Sequence, residues 1–228
     1  MPDKDIYRAA QDGDVESLGH ELASGVSPNA LDSAGWTPLH NLCLRRDVAD
    51  ARVDCLRMLL KAGADIHATT ILQTTPRNFA AKFSHAKVVA ALLEAGADVN
   101  RGDANNATPL HFACARSDFD VEPALLLLRH GAAATVNARD DWGRTPLDVA
   151  ILQPRRRRLV PILLRAGATP PAQTTNAYLQ KVIAAGGFQT YKRNQLNALA
   201  ATFAPHFAQL PPEIVRLVVK YAFHVGYY

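Results

Sequence analysis

Apolar side chains recur at helical spacing along most of this chain, in paired short runs separated by polar turns. Thr-Pro pairs at Thr37-Pro38, Thr75-Pro76, Thr108-Pro109 and Thr145-Pro146, spaced 33 to 38 residues apart, each precede one run. The second run of each pair ends in Gly63-Ala64, Gly96-Ala97, Gly131-Ala132 or Gly167-Ala168. A threonine side chain can accept from an unpaired amide of the next turn, and proline at the first helical position has no amide to leave unpaired. Glycine takes the left-handed conformation that stops a helix. Each unit therefore predicts a turn, a helix, a tight turn, a second helix and a glycine stop. One helix pair cannot bury its own apolar face, but a row of pairs can.

Residues 1 to 30 predict a capping unit without a preceding turn, with one helix over 6 to 14 and a second over 15 to 24. Asp3, Lys4, Asp5 and Arg8 give it the polar outer face that an end unit needs. Units two to five occupy 31 to 170. The second has about five extra residues between its helices, placed at Arg45 to Arg52 as a solvated polar loop. The third carries Arg77-Asn78 where others have Leu-His or Leu-Asp, and Gln73 where glycine is usual, yet Val88-Val89-Ala90-Ala91-Leu92-Leu93 keeps the apolar spacing. The fourth adds about two residues between its helices and two after Gly131. Pro123 and Pro161 fall in the first turn of second helices, where proline is tolerated. Pro170-Pro171 marks a boundary.

The repeated stretch resembles the ankyrin repeat, carried by Thr-Pro-Leu-His at 37 to 40 and 108 to 111, Thr-Pro-Leu-Asp at 145 to 148, and Gly-Ala-Asp at 63 to 65 and 96 to 98. The fold class expected is all-α: a solenoid of about five units, followed by a helical cap over 171 to 228. Within that last segment, helical patterns run over about 176 to 185, 191 to 203 and 212 to 223, and Leu210, Ile214, Leu217, Val218 and Tyr221 form one apolar stripe. Leu210-Pro211-Pro212-Glu213-Ile214 is similar to the opening of an F-box, and ankyrin repeats followed by such a segment resemble the poxviral ankyrin proteins and, faintly, ankyrin proteins with a SOCS box. The resemblance implies a handle for a cullin-type ubiquitin ligase with Pro211, Glu213, Ile214 and Leu217 as contacts. A helical cap over the fifth repeat is the competing reading.

Composition narrows the setting. The start carries charges of both signs and no apolar run follows it, no uncharged stretch nears the length of a membrane helix, and three cysteines show no disulfide or metal framework. A cytoplasmic or nuclear protein without a membrane partner is expected. The net charge of +4 lies wholly in 171 to 228, while the repeats carry equal numbers of basic and acidic side chains, which argues against a general phosphate-backbone binder. Arg155 to Arg158 reads either as a solvated turn or as a patch for nuclear import or an acidic partner.

His40-x-x-Cys43 and His111-x-x-Cys114 put two ligand types on one helical face, but both histidines belong to the repeat signature and both cysteines take its small-residue slot. No metal and no cofactor is expected. No nucleophile pairs with a base and no glycine loop cradles a phosphate, so no catalytic residue is assigned and a non-enzyme is expected. Asn106-Ala107-Thr108 matches a glycosylation acceptor, but its threonine starts a helix.

Ankyrin proteins, as the resemblance implies, bind other proteins through turn tips and the exposed side of each first helix. Those positions here include Trp36 and Arg45, then Ile71, Leu72 and Phe83. Arg116, Trp142 and Arg144 continue the face in the later units. Tryptophan and arginine dominate binding hot spots; the competing reading packs Trp36 and Trp142 on neighbouring turns. The partner expected is another protein, bound by a monomeric adaptor or scaffold.

Overall fold

The computed structural model describes residues 3–45, 49–83, 85–118, 120–152, 158–203, 211, 213–214 and 217. Two compact units divide the chain, Met1–Gly167 and Ala168–Tyr228. In the first, five helix pairs follow one another: α1 Asp3–Asp12 with α2 Val15–Ala23, α3 Pro38–Leu42 with α4 Ala49–Lys61, α5 Pro76–Phe83 with α6 Ala86–Glu94, α7 Pro109–Cys114 with α8 Glu122–Arg129, and α9 Pro146–Ile151 with α10 Leu159–Arg165. The second unit holds α11 Ala177–Ala184 and α12 Phe188–Phe203, and Glu213, Ile214 and Leu217 are helical as well. No strand occurs among the described residues.

The odd-numbered helices α1 to α9 pack in one row, and α2 to α8 in another. Ile6, Leu18, Leu39, Leu56, Leu59, Leu92, Leu110, Leu127, Leu147 and Leu163 are wholly or almost wholly buried between the rows. Each completely buried leucine contributes about 1.5–3 kcal/mol, so the core is spread along the stack and every unit leans on its neighbours.

The Thr-Pro starts work as the sequence suggests. Thr37 Oγ1 accepts from His40 N (3.4 Å) while His40 Nδ1 accepts from Thr37 N (3.2 Å). With Nδ1 an acceptor, the proton of the neutral ring is on Nε2, which donates to the Thr74 carbonyl of the next unit at 3.1 Å. His111 repeats the arrangement, taking Thr108 N at 3.1 Å and donating to the Arg144 carbonyl at 2.9 Å. At the far end, Gly63 has φ 91° and lets Ala64 N turn back to the Leu59 carbonyl at 2.9 Å. The two residues added after Gly131 are taken up in a 3₁₀ turn, Ala132–Thr135.

The insertion in the second unit is shorter than the sequence suggests. The helix α4 begins at Ala49, and 46 to 48 lie outside the described residues. Arg52, expected in a solvated loop, is fully buried in α4 and donates to the carbonyls of Leu42 (2.8 Å) and Gln11 (2.6 Å). It closes the ends of α3 and α1 together, meeting carbonyls that a helix terminus leaves without partners. Residues 153 to 157 also lie outside the described set, so of the four-arginine run only Arg158 is placed, exposed in the turn before α10.

Candidate protein-binding face

Four turn tips, the second to the fifth by the unit each one opens, project from the stack, one ahead of each odd-numbered helix from α3 to α9. An aspartate organises three of them. Asp32 Oδ1 accepts from Ala34 N and Trp36 N, both at 2.9 Å, and Asp103 Oδ1 accepts from Asn105 N and Ala107 N at the same distance. Asp140 Oδ1 accepts from Trp142 N (3.1 Å) and Arg144 N (2.8 Å). An aspartate that bonds backbone amides a few residues ahead of it holds a tight turn without help from other elements. The third tip lacks this; Thr70 Oγ1 accepts from Thr74 N at 3.3 Å instead. Backbone bonds join successive tips, Ala104 N to the Leu72 carbonyl (2.9 Å) and Asp141 N to the Asn105 carbonyl (3.0 Å).

Three of the large exposed apolar side chains of the repeats sit on this framework, besides Leu31 just before the second tip and Leu152 after α9. Ile71 is 86% and Leu72 61% exposed at the third tip, and Trp142 is 64% exposed at the fifth. Trp142 does not hang loose: the Arg144 guanidinium lies 4.7 Å from its ring centre and is itself held by Asp140 at 2.7 Å. Burial of Asp140 opposes its ionisation, but the bonds and charge of Arg144 prevail and hold its carboxyl below the usual carboxylate range.

The two tryptophans stand at different places in their turns: Trp36, four residues after Asp32, matches Arg144, and Trp142, two residues after Asp140, matches Ala34. Trp36 is half-buried, with its ring centre 5.0 Å from Phe79, which in turn lies 6.2 Å from Phe83. Lys82 places its ammonium 4.9 Å over the Phe83 ring. Trp36, Phe79 and Phe83 thus form a partly exposed aromatic row across units two and three. In the sequence Phe79 reads, with Ala80 and Ala81, as part of the apolar spacing of the third unit; it stands four residues after Thr75 just as Phe112 follows Thr108, a position half-buried in both units.

The arginines divide. Arg45 is exposed and pairs with Asp12 at 3.2 Å. Arg116, expected on the surface, is buried: it donates to the Ala81 carbonyl (3.0 Å) and pairs with Asp118 (2.8 Å) and Asp120 (3.8 Å). It ties α7 to the end of α5 much as Arg52 ties α4 to α3 and α1, and it leaves the binding face for the interior.

Little here invites chemistry. Both nitrogens of His40 and of His111 are engaged, and burial holds each ring below the ordinary histidine pKa. Burial pushes the Cys43 thiol up to about 12 and Cys55 to about 11, which removes the reactive thiolate. No group of three or more metal-binding side chains occurs among the described residues. No helix among them is long and apolar enough to cross a membrane. In the second unit, Pro211, Glu213, Ile214 and Leu217 are all exposed, and Ile214 N bonds the Pro211 carbonyl at 2.9 Å.

Stacked helix pairs with ordered turn tips define a helical repeat protein. The chain belongs to the ankyrin repeat family: one family profile for ankyrin repeats in three copies matches residues 6–103, and a second, for many copies, matches 92–150. Ankyrin repeats are modules of protein–protein interaction. Among individual proteins, the chain is 40% identical over 75 residues to the 2-5A-dependent ribonuclease of Mus musculus, covering 32% of this chain and 10% of that one. It is 39% identical over 62 residues to the ankyrin repeat-containing protein P1E11.10 of Schizosaccharomyces pombe, with 27% and 28% covered. It is 28% identical over 171 residues to the putative E3 ubiquitin-protein ligase XBAT31 of Arabidopsis thaliana, with 75% of this chain and 31% of that one covered. The matches therefore span less than a third of each relative.

Proposed function

We propose that this chain is a non-catalytic scaffold that grips a partner protein on the face formed by its turn tips and odd-numbered helices. The observation that carries the reading is the exposure of Ile71, Leu72 and Trp142 on tips that are internally bonded and so pre-shaped. Exposed apolar side chains on an ordered frame lose little conformational freedom on binding and gain the full value of their burial. The aromatic row of Trp36, Phe79 and Phe83 extends the apolar surface, and Arg45 and Arg144 border it. A partner segment rich in aliphatic side chains fits such a surface. The protein acts as a monomer in the cytoplasm or nucleus. Affinity capture from the native cell with the full chain, run beside I71S/L72S/W142A of equal melting temperature, tests the reading. Proteins retained by the first and lost from the second support it; an unchanged set refutes it.

The exposed Pro211, Glu213, Ile214 and Leu217, together with the likeness to a putative E3 ubiquitin-protein ligase, favour a second reading. In it the same face selects a client and the last helix docks a cullin-type ligase. Deleting 205 to 228 then removes a cullin or Skp-type adaptor from the captured set; without such a loss, that segment serves the repeats as a cap.

A further inference from the structure

The third unit breaks the rules its neighbours keep, and the breaks converge on its core. Two residues after the threonine, units two, four and five bury Leu39, Leu110 and Leu147, each 0% exposed. The third unit puts Arg77 there, 1% exposed. Its guanidinium donates at 3.4 Å to Asn78 Oδ1 and at 3.3 Å to the Arg101 carbonyl, both long, and its Nε–H meets no acceptor. No carboxylate lies within ion-pair distance of it among the described residues, in contrast to Arg116 with Asp118. Two long bonds to neutral oxygens and the charge of Asp98, beyond ion-pair distance, offset only part of the several kcal/mol that burying a guanidinium costs.

The links to the adjoining units are uneven: the second unit is joined through His40 to the Thr74 carbonyl and through Trp36 to Phe79. Asn78 stands where His40 and His111 bridge to the next unit, and its Nδ2 is buried without a partner. The backbone bonds that join the third tip to the fourth and the fourth to the fifth have no counterpart between the second and the third. Packing of α3 on α5 is the sparsest in the row of odd-numbered helices, while α5 on α7 is among the closest. Gln73, at φ 53°, sits in the turn where Gly35 and Gly143 take the same sign without strain; the fourth unit has Asn106 there at φ 56°, an asparagine, which tolerates that region better.

From these we infer that the third unit is a built-in weak joint, opening locally ahead of the units on either side because the charge of Arg77 is held in its core. Stability in a stacked repeat protein is close to a sum of unit and junction terms, so a penalty confined to one unit shows as local opening there. The burial that creates the penalty also pulls the Arg77 pKa down to about 10. The joint stands whether or not a partner uses the nearby Ile71–Leu72 tip.

Hydrogen exchange read by mass spectrometry on the full chain tests it. Amides of α5 and α6 are expected to exchange about tenfold faster than those of α7 and α8. R77L should slow α5 and α6 by about tenfold while α9 and α10 keep their rates, and should raise the melting temperature. R77K, which keeps the charge, should leave the fast exchange in place. Equal rates in the wild-type third and fourth units overturn the inference without any variant. So does R77L or, if that chain does not fold, R77M, should it leave α5 and α6 as fast as before.

Discussion

The histidine bridge offers the sharpest quantitative test of how the units are joined. His111 is 3% exposed, and its ring spans from the Thr108 amide at 3.1 Å to the Arg144 carbonyl 33 residues away at 2.9 Å. His111→Ala deletes both bonds. Each is worth about 1 kcal/mol net, and a buried group left without its partner adds about 1–3 kcal/mol. The lost ring also leaves a cavity, so the total expected is about 3–4 kcal/mol. That is a large share of the roughly 5–15 kcal/mol that holds a domain together. Asn78, at the same position of the third unit, makes no bond to the next unit but accepts from Thr75 and from the buried Arg77, so Asn78→Ala is read in an Arg77→Leu background, where it should cost about 1 kcal/mol. Urea unfolding followed by circular dichroism reads both. Equal losses for the two variants, or a loss under about 1 kcal/mol for His111→Ala, would refute the claim that the imidazole is what links successive units.

Acid should weaken the fold for the same reason: burial keeps His40 and His111 below the ordinary value of 6.5, so the unfolded chain binds their protons more readily. Stability is then complete above about pH 6.5 and falls as the pH drops through that value, with up to two protons taken up on unfolding, a count that potentiometric or urea titration against pH checks. Arg116→Met should cost about 3 kcal/mol by stranding the Ala81 carbonyl and Asp118, while Arg45→Met, which breaks an exposed pair with Asp12, should cost under about 1 kcal/mol, both read by urea unfolding. Asp140→Ala should cost about 2 kcal/mol and free the Trp142 ring, lowering its fluorescence anisotropy in a Trp36→Phe background. Replacing Trp36 should lower the melting temperature more than replacing Trp142, since Trp36 packs on Phe79 and Trp142 lies open.

The helix pairs were legible because their signals are local. Thr-Pro and the terminal glycines act through their own backbone, so spacing alone locates the units, and His40 and His111 reach the next unit because that spacing is regular. The arginines were not legible. A guanidinium reads as surface until the fold brings carbonyls from other helices to meet it, as Gln11 and Leu42 meet Arg52 and as Ala81 meets Arg116. The difference between the tryptophans is hidden for a related reason. Trp36 stands directly before its threonine and Trp142 two residues nearer the tip of its turn, and only the fold shows that a large ring, Phe79, meets Trp36 from the next unit. Arg77 shows the opposite failing of sequence logic, since its position alone says buried and its chemistry says exposed; position prevailed.

Site-specific photocrosslinking in the native cell tests the binding face most directly. A photoreactive side chain at Leu72 or Trp142, on exposed turn tips, should capture a partner protein, and one at Glu94, exposed at the end of α6 among the even-numbered helices, should not. Capture from Glu94 with none from either tip would contradict the account.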